Sequence, residues 1–402
     1  MAHHNNNYSN TCSGIFWPSL QQRPDNYPDI LRRRIKNSLA KLIMTRINIL
    51  FLLHSSHIQG VLKQNILLIK NLKKNKNINI RVISPNIGKG KELYKKEGII
   101  IKKAVNEKEV IASIKKDNFI PDIVFNESVF SINGKNIAKR FNAMHIMRIN
   151  EEIPENLKKR VLFKRITYKP EKNYKKTEII FPCKHTKEYY KELVRKYKIK
   201  TKIIYNSVEE RNIRKGVKKG FKILQLGTIY SLKGQIKTLR AFSIFKRKIK
   251  GKASLIFVGG RKTNKKEIDY ILKLKQEIKK LNLEKFVKVR GSILNPEKYI
   301  DECNMLTLHS RSECFPTVAL EAIYTGKPVI ASNVGGMSEI INEKKNGYLF
   351  KNGDIKRQAK LFLEVYQKKD YWFKRSSSMH QNYLKKFSNS DSYNKIKNIL
   401  NI

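Results

Sequence analysis

Met305–Ala322 reads MLTLHSRSECFPTVALEA, and it divides into a strand, a loop and the start of a helix. Met305–Leu308 is a short apolar run of strand character. Pro316 suits the first helical position, because its ring presets φ and its missing N–H is no loss there. Val318, Ala322 and Ile323 form an inward-packing side, Gly326 stops the helix near Tyr324, and Pro328 opens the next strand, Pro328–Ser332. Glu313 therefore falls in the loop before the helix, and Glu321 lies about a turn and a half inside it. Two acceptor-only carboxylates then face one cleft beside a helix N-terminus. Carboxylates so placed suit the hydroxyl donors of a sugar or ribose, and the helix end suits a phosphate. The competing reading makes both glutamates ordinary surface charges, with Glu321 pairing a nearby lysine.

The same unit recurs on either side. Lys222–Leu226, Ala253–Val258 and Val287–Val289 read as strands, separated by helical patterns over Gly234–Lys248 and Lys265–Leu281. Further upstream, Ile47–Leu53, Ile80–Ser84, Asp122–Asn126 and Met144–Ile149 are strand runs with helical patterns between them. Such alternation predicts an α/β protein with two doubly wound, Rossmann-like halves. Ser207–Gly220 (SVEERNIRKGVKKG) is charged and strand-poor and reads as the linker between them. Residues 1–43 are polar, proline-bearing and without a sustained period, which predicts a disordered or loosely attached extension. The domain reading is 44–205 for the first half, 206–220 for the linker, 221–375 for the second half, and 376–402 for a C-terminal segment.

In such sheets ligands bind beyond the carboxyl ends of strands. Gly227–Gly234 (GTIYSLKG) follows a strand and opens a helix, so Lys233 sits beside free backbone amides where a diphosphate is the natural guest. A plain strand-to-helix connection is the competing reading of that loop. In VGG, Gly335 and Gly336 permit a close backbone approach, and Glu339 reads as a first-turn residue favouring its own helix dipole.

Lys and Arg total 85 against 33 Asp and Glu in 402 residues, a formal net charge of +52. The lysines are spread along nearly the whole chain among Ile, Asn and Tyr, which reads as compositional bias placed on solvated faces. Without a helix-turn-helix, zinc-finger or RNP signature, a nucleic-acid partner is not expected. An anionic membrane surface is the better-motivated charged partner, because basic clusters fall at Lys73–Lys76, Ile101–Lys103, Lys158–Lys176 and Lys184–Lys202. The four cysteines form no CxxC pair, and no secretory h-region opens the chain, which together lead us to expect a cytoplasmic protein.

ILQLGTIYSLKGQ, LIFVGG, VRGSI, LTLHSRSECFPTVALEA, GKPVIASNVGGMSEII and NGYLF occur in this order, and together they resemble the donor domain of family 4 glycosyltransferases. The N-terminal half is similar more loosely, through PDIVFNES, CKHTKEYY and Ile203–Asn206. The closing KKFSNSDSYNKIKNIL resembles the family's C-terminal helix, which crosses back onto the first half. The resemblance implies the GT-B fold and transfer of a sugar from a nucleotide-diphosphate sugar to a glycan or lipid-linked acceptor hydroxyl, with retention. Glu313 would hold donor-sugar hydroxyls and Glu321 the ribose. Lys233, with Gly227 and Thr228, would meet the diphosphate, and the amides around Phe315, Pro316, Thr317 and Val318, those of the three non-proline residues, would share that charge. The backbone of Arg290, Gly291 and Ser292 would meet the base, while Gln59, Gly60 and Asn150 would lie on the acceptor side. No cofactor and no metal is expected.

The chain also departs from the family. Thr228 stands where an arginine is usual, so either another cation, Arg261 or Arg311, supplies that charge or turnover is slower. Asn150 and Glu151 stand where a histidine often follows the strand, and His145 within the strand reads as a packed side chain. These departures leave an inactive GT-B protein open, alongside an epimerase, a phosphorylase-like enzyme and a basic nucleic-acid-binding protein.

Overall fold

The computed structural model describes residues 46–54, 60–88, 90–153, 177–211, 220–260, 265–293 and 295–402. The expected extension over residues 1–43, the cluster Lys158–Lys176, Gln59 and Arg261 all lie outside these residues. Strands of the first half are β1 (Ile47–Leu52), β2 (Ile78–Ser84), β3 (Ile101–Lys103), β4 (Ile123–Asn126), β5 (Met144–Arg148), β6 (Glu178–Phe181) and β7 (Lys200–Ile203). Those of the second half are β8 (Phe221–Leu226), β9 (Ala253–Val258), β10 (Val287–Arg290), β11 (Met305–Leu308), β12 (Val329–Ser332) and β13 (Gly347–Phe350).

All named pairings are parallel, in the orders β3-β2-β1-β4-β5-β6-β7 and β10-β9-β8-β11-β12-β13. Each sheet is thus wound outward from its first strand in both directions. The reversals fall between β1 and β4 and between β8 and β11, where a crevice opens beyond the strand ends. The loops carrying Lys233 and Glu313 follow β8 and β11, and so flank that reversal.

The faces are set by strand periodicity. Ile49 and Phe51 of β1 join Leu62 and Ile69 of the helix Gly60–Leu72, while Leu50 and Leu52 point to the other face with Val110 and Ile114. In the second half, the helices Gln235–Arg247 and Ile355–Gln367 bring Leu239, Phe242, Phe245, Leu361 and Phe362 onto one face. The helix Thr317–Tyr324 covers the other with Ala319, Leu320 and Ile323. Each such valine, leucine, isoleucine or phenylalanine, fully buried, contributes about 1.5–3 kcal/mol.

Three segments differ from the sequence reading. Pro316 caps the helix from outside, with an extended ψ of 118°, and Thr317 is the first helical residue. The start of the expected linker is packed between the halves. Gln64 bonds both backbone groups of Ser207, the Val208 N–H donates to the Tyr383 hydroxyl (2.9 Å), and Arg211 grips Asp301 through both oxygens (2.9 and 2.7 Å). The charge at Arg211 signals an ion pair rather than a solvated tether. The C-terminal segment comprises two helices, Lys369–Phe387 and Asn389–Leu400. They break at Ser388, which is extended and caps the second through the Asp391 N–H (3.2 Å). Tyr383 and Phe387 lie in the second half's core, whereas Ile396, Ile399 and Leu400 lie in the first's.

Candidate active site between the two halves

A cavity of about 540 Å³ lies where the carboxyl ends of both sheets meet. Twelve of the expected site residues line it: Gly60, Asn150, Gly227, Thr228, Lys233, Ser292, Glu313, Phe315, Pro316, Thr317, Val318 and Glu321. Arg290 and Gly291 do not; both are exposed, and only their carbonyls turn inward, accepting the Gly259 N–H at 3.2 and 3.3 Å.

Glu313 is held by two donors. Lys233 Nζ lies 2.5 Å from its Oε1, and the Ser310 hydroxyl donates to the same oxygen at 2.7 Å. Burial alone would lower the Lys233 pKa, but the adjacent Glu313 carboxylate outweighs it and raises the value. Lys233 is therefore a full charge at the cavity wall. Thr317–Tyr324 presents its first amides to the same space.

The loop bearing Glu313 is fixed from below. Gly335, at φ +56°, lies so close under the Glu313 carbonyl that a Cβ there would collide with it, and the Gly336 N–H donates to the Cys314 carbonyl (2.8 Å). The strand end is fixed by His309. Its Nδ1 donates to Gln358 Oε1 (2.7 Å), and its Nε2 accepts the Gly353 N–H (3.0 Å), which defines one neutral tautomer. Burial pushes His309 down to about 4. Gln358 in turn donates to Thr307 of β11 (2.9 Å), so the side-chain network reaches back into the sheet.

Glu339 stands in the first turn of its own helix, Met337–Ile340, as expected, and it also reaches the first half. Its carboxylate accepts the N–H groups of Lys184 (3.0 Å) and His185 (2.8 Å) and the Tyr205 hydroxyl (3.0 Å), and so ties the helix Lys184–Tyr189 of the first half to the second. Arg311 is exposed and away from the cavity; its N–H donates to the Leu232 carbonyl (2.8 Å). Thr228 lines the cavity, and Gln235 donates to its carbonyl (3.0 Å). Among the described residues the cavity's cations are Lys233 and one that the sequence reading missed, Lys63. Lys63 Nζ lies 2.8 Å from both Glu321 Oε1 and Glu297 Oε1.

The first half contributes a buried polar group under Asn150. The Asn150 amide donates to the Glu127 carbonyl (2.9 Å), and Glu127 Oε2 accepts the His54 N–H (2.8 Å). Burial pushes Glu127 up to about 8 and Glu151 up to about 7, partly opposed by those and similar hydrogen bonds. His145 is wholly buried between Thr177 (3.0 Å) and Asn126 (2.9 Å), and burial takes its pKa down to about 3. Among the described residues no cluster of three or more His, Cys, Asp or Glu could hold a metal ion.

Two Rossmann-like halves around a cleft lined in this way constitute the GT-B architecture. Residues 206–386 match the family described as glycosyl transferases group 1. The chain is 34% identical over 148 residues to alpha-1,3/1,6-mannosyltransferase ALG2 of Dictyostelium discoideum, covering 34% of this chain and 35% of that protein. It is 27% identical over 130 residues to the poly(ribitol-phosphate) alpha-N-acetylglucosaminyltransferase of Staphylococcus aureus strain COL, covering 32% and 26%. The matches thus span about a third of the length of the first of these curated relatives and about a quarter of the second. The crystal structure of Anabaena Alr3699/HepE with UDP and glucose superposes with a TM-score of 0.75 at 19% identity, over 88% of this chain and 99% of that one.

Proposed function

We propose that the protein is a retaining glycosyltransferase of family 4, moving a sugar from a nucleotide-diphosphate donor to a hydroxyl of a glycan or lipid-linked acceptor. The observation that carries this reading is the convergence of Glu313, Glu321, Lys233 and the start of the helix Thr317–Tyr324 on one cavity between the halves. The hard step is departure of the nucleoside diphosphate. Charge grows on its β-phosphate as the glycosidic bond breaks, and Lys233 with the helix amides meets that charge in place, without a metal. Glu313 accepts hydroxyls of the donor sugar, Glu321 those of the ribose, and the acceptor hydroxyl attacks from the face the diphosphate leaves. The backbone near Ser292 faces the base. Packing of the halves against each other excludes water and protects the donor from hydrolysis.

The relatives support this reading through their named activities, and the Anabaena protein through the UDP-glucose of its complex. We assign the acceptor to a membrane surface, against which the first half rests by charge. Lys73, Lys74 and Lys76, just before β2, and Ile100, just before β3, are exposed at one end of that half's parallel sheet, whereas Lys184, after β6, is exposed at the other. No helix of the described residues is long and apolar enough to cross a membrane.

A melting-temperature panel of UDP-, GDP- and ADP-sugars tests the donor assignment, since a bound donor stabilises by mass action. The matching donor raises the melting temperature and supports transfer to an added acceptor. No shift with any of them would remove the reading.

A further inference from the structure

The structure assigns Lys63 a role that the sequence gives no sign of: we propose that it is a positioning residue for Glu321, holding the ribose carboxylate from the opposite side of the cleft. The inference rests on the glycosyltransferase reading above, and deepens it by naming the group that makes its ribose site.

Lys63 belongs to the helix Gly60–Leu72 of the first half, one turn in from its start. Helical side chains lean toward the N-terminus, so its ammonium is directed back toward the cavity that Gly60 also lines. Gly60 is itself seated on the second half: a Cβ there would lie 2.5 Å from the Thr317 hydroxyl. The helix start is thus held against the helix that carries Glu321, and the ammonium bridges Glu321 and Glu297 at 2.8 Å each.

The geometry on Glu321 is one-sided. Lys63 donates to Oε1, and among the described residues none donates a hydrogen bond to Oε2. A ribose diol offers two hydroxyl donors, and it needs a carboxylate that is ionised and fixed in direction. The Glu321 side chain is only 14% exposed, so a lone negative charge there would be costly, and Lys63 offsets that cost. Lys63 leaves Oε2 and the remaining lone pair of Oε1 for the ligand. Glu297 anchors the lysine itself: burial would raise the Glu297 pKa, but Lys63 outweighs it and lowers the value. Lys63 and Glu321 also line a second cavity, of about 260 Å³, so the pair stands at the border of both spaces rather than in open solvent.

Ribose recognition is then completed only when both halves are together, because one half holds the carboxylate and the other holds its direction. The test is a coupling cycle read by calorimetry. UDP, GDP and ADP, their 2′,3′-dideoxy counterparts and inorganic pyrophosphate are titrated into wild type, Lys63→Met, Lys63→Gln and Lys63→Arg. In wild type, loss of the ribose hydroxyls weakens the bound nucleotide by about 10-fold or more, as for hydrogen bonds to a charged group. In Lys63→Met and Lys63→Gln that penalty falls to within about threefold, while Lys63→Arg keeps most of it and pyrophosphate affinity is unchanged throughout. Glu297→Gln, which leaves Lys63 on Glu321, keeps the penalty.

A full penalty in both neutral variants overturns the proposal. So does an equal loss of pyrophosphate affinity, which would make Lys63 a phosphate ligand. Tighter nucleotide binding in the neutral variants also overturns it, because Lys63 would then compete with the ribose. Wild type that binds no nucleoside diphosphate overturns the glycosyltransferase reading together with the proposal.

Discussion

Lys233 and Glu313, 80 residues apart in sequence, meet at 2.5 Å across the mouth of the loop after β11. Each charge of the pair is therefore met by the other, and on the proposed function a donor would exchange this pair for two new ones. Phosphate would replace the carboxylate on Lys233, and sugar hydroxyls would replace the ammonium on Glu313. The exchange keeps every charged group partnered, which limits the desolvation cost of binding.

Lys233→Ala is expected to weaken binding of the free nucleoside diphosphate by about 10-fold or more, and Lys233→Arg to retain part of the affinity, since a charge-assisted hydrogen bond is lost in one and re-formed in the other. Calorimetry with the nucleotide alone reads this directly. Unchanged affinity in Lys233→Ala would reduce the loop to a connection between strand and helix.

Removal of the two carboxylates is expected to separate the kinetic constants. Glu313→Ala lowers kcat by about 10²-fold with a modest change in KM, because it touches the reacting sugar. Glu321→Ala raises the donor KM by about 10-fold, because it touches the ribose. Steady-state kinetics on both variants, with melting curves to verify folding, give the comparison. Wild-type turnover in both would sink the assignment.

Thr228→Arg is expected to raise kcat. Thr228 lines the cavity close to Lys233, and a guanidinium there adds charge where the diphosphate leaves. A lower kcat with tighter product binding would show that release of the nucleotide, rather than chemistry, sets the rate.

The buried histidines give the stability a defined acid limb. His145 is pushed down to about 3 and His309 to about 4, whereas an unfolded histidine titrates near 6.5. Between these values the unfolded chain binds the extra protons, so the histidines' contribution to stability is full above about pH 6.5 and falls as the pH drops toward 4. Each histidine contributes a slope of about 1.4 kcal/mol per pH unit, and His145→Gln is expected to remove one such increment. Chemical denaturation at a series of pH values measures it; an unchanged slope would mean that His145 is charged in the fold. Glu127, pushed up to about 8, acts with the opposite sign: its cost grows as the pH rises from about 4.5 to 8.

Salt-dependent association with anionic vesicles is expected through the first half. Each Lys or Arg near such a surface contributes about 1 kcal/mol, and screening shortens the reach to about 3 Å at 1 M salt. Co-sedimentation with neutral and anionic liposomes decides it. Equal partitioning onto both, or binding that survives high salt, would refute the electrostatic attachment.

What could be read from the sequence is what is encoded locally. Met305–Leu308 and Ala253–Val258 coincide with β11 and β9, because an apolar strand between turn residues is a short-range pattern. Glu313 and Lys233 could be picked out for the same reason: each follows a strand and precedes a helix. β3 and β7, the first sheet's edge strands, escaped the reading because IKK and KTKI carry too many lysines to look apolar. Lys63 escaped because its partner Glu321 is 258 residues away, and the contact of Glu339 with the first half escaped because the amides it accepts are 154 and 155 residues away. A lone lysine or glutamate on a helix looks the same whether it faces water or another domain. His309 gave no signal either, since its tautomer is set by Gln358 and Gly353, which lie after two further strands.

The chain passes between the halves beside Asn206–Ser207 and again at Ser388–Asn389, and the two passages touch: Asn389 Oδ1 lies 3.5 Å from the Ser207 hydroxyl and accepts from Asn71 at 3.3 Å. Two covalent tethers at one spot act like both leaves of a door hinge mounted on the same jamb. Sliding and twisting are resisted there, and swinging about that edge is the soft motion left. Lys63–Glu321 and Glu339–His185 then act as catches set close to the jamb, since Gln64, next to Lys63, bonds Ser207, and Glu339 also accepts from Tyr205, next to Asn206.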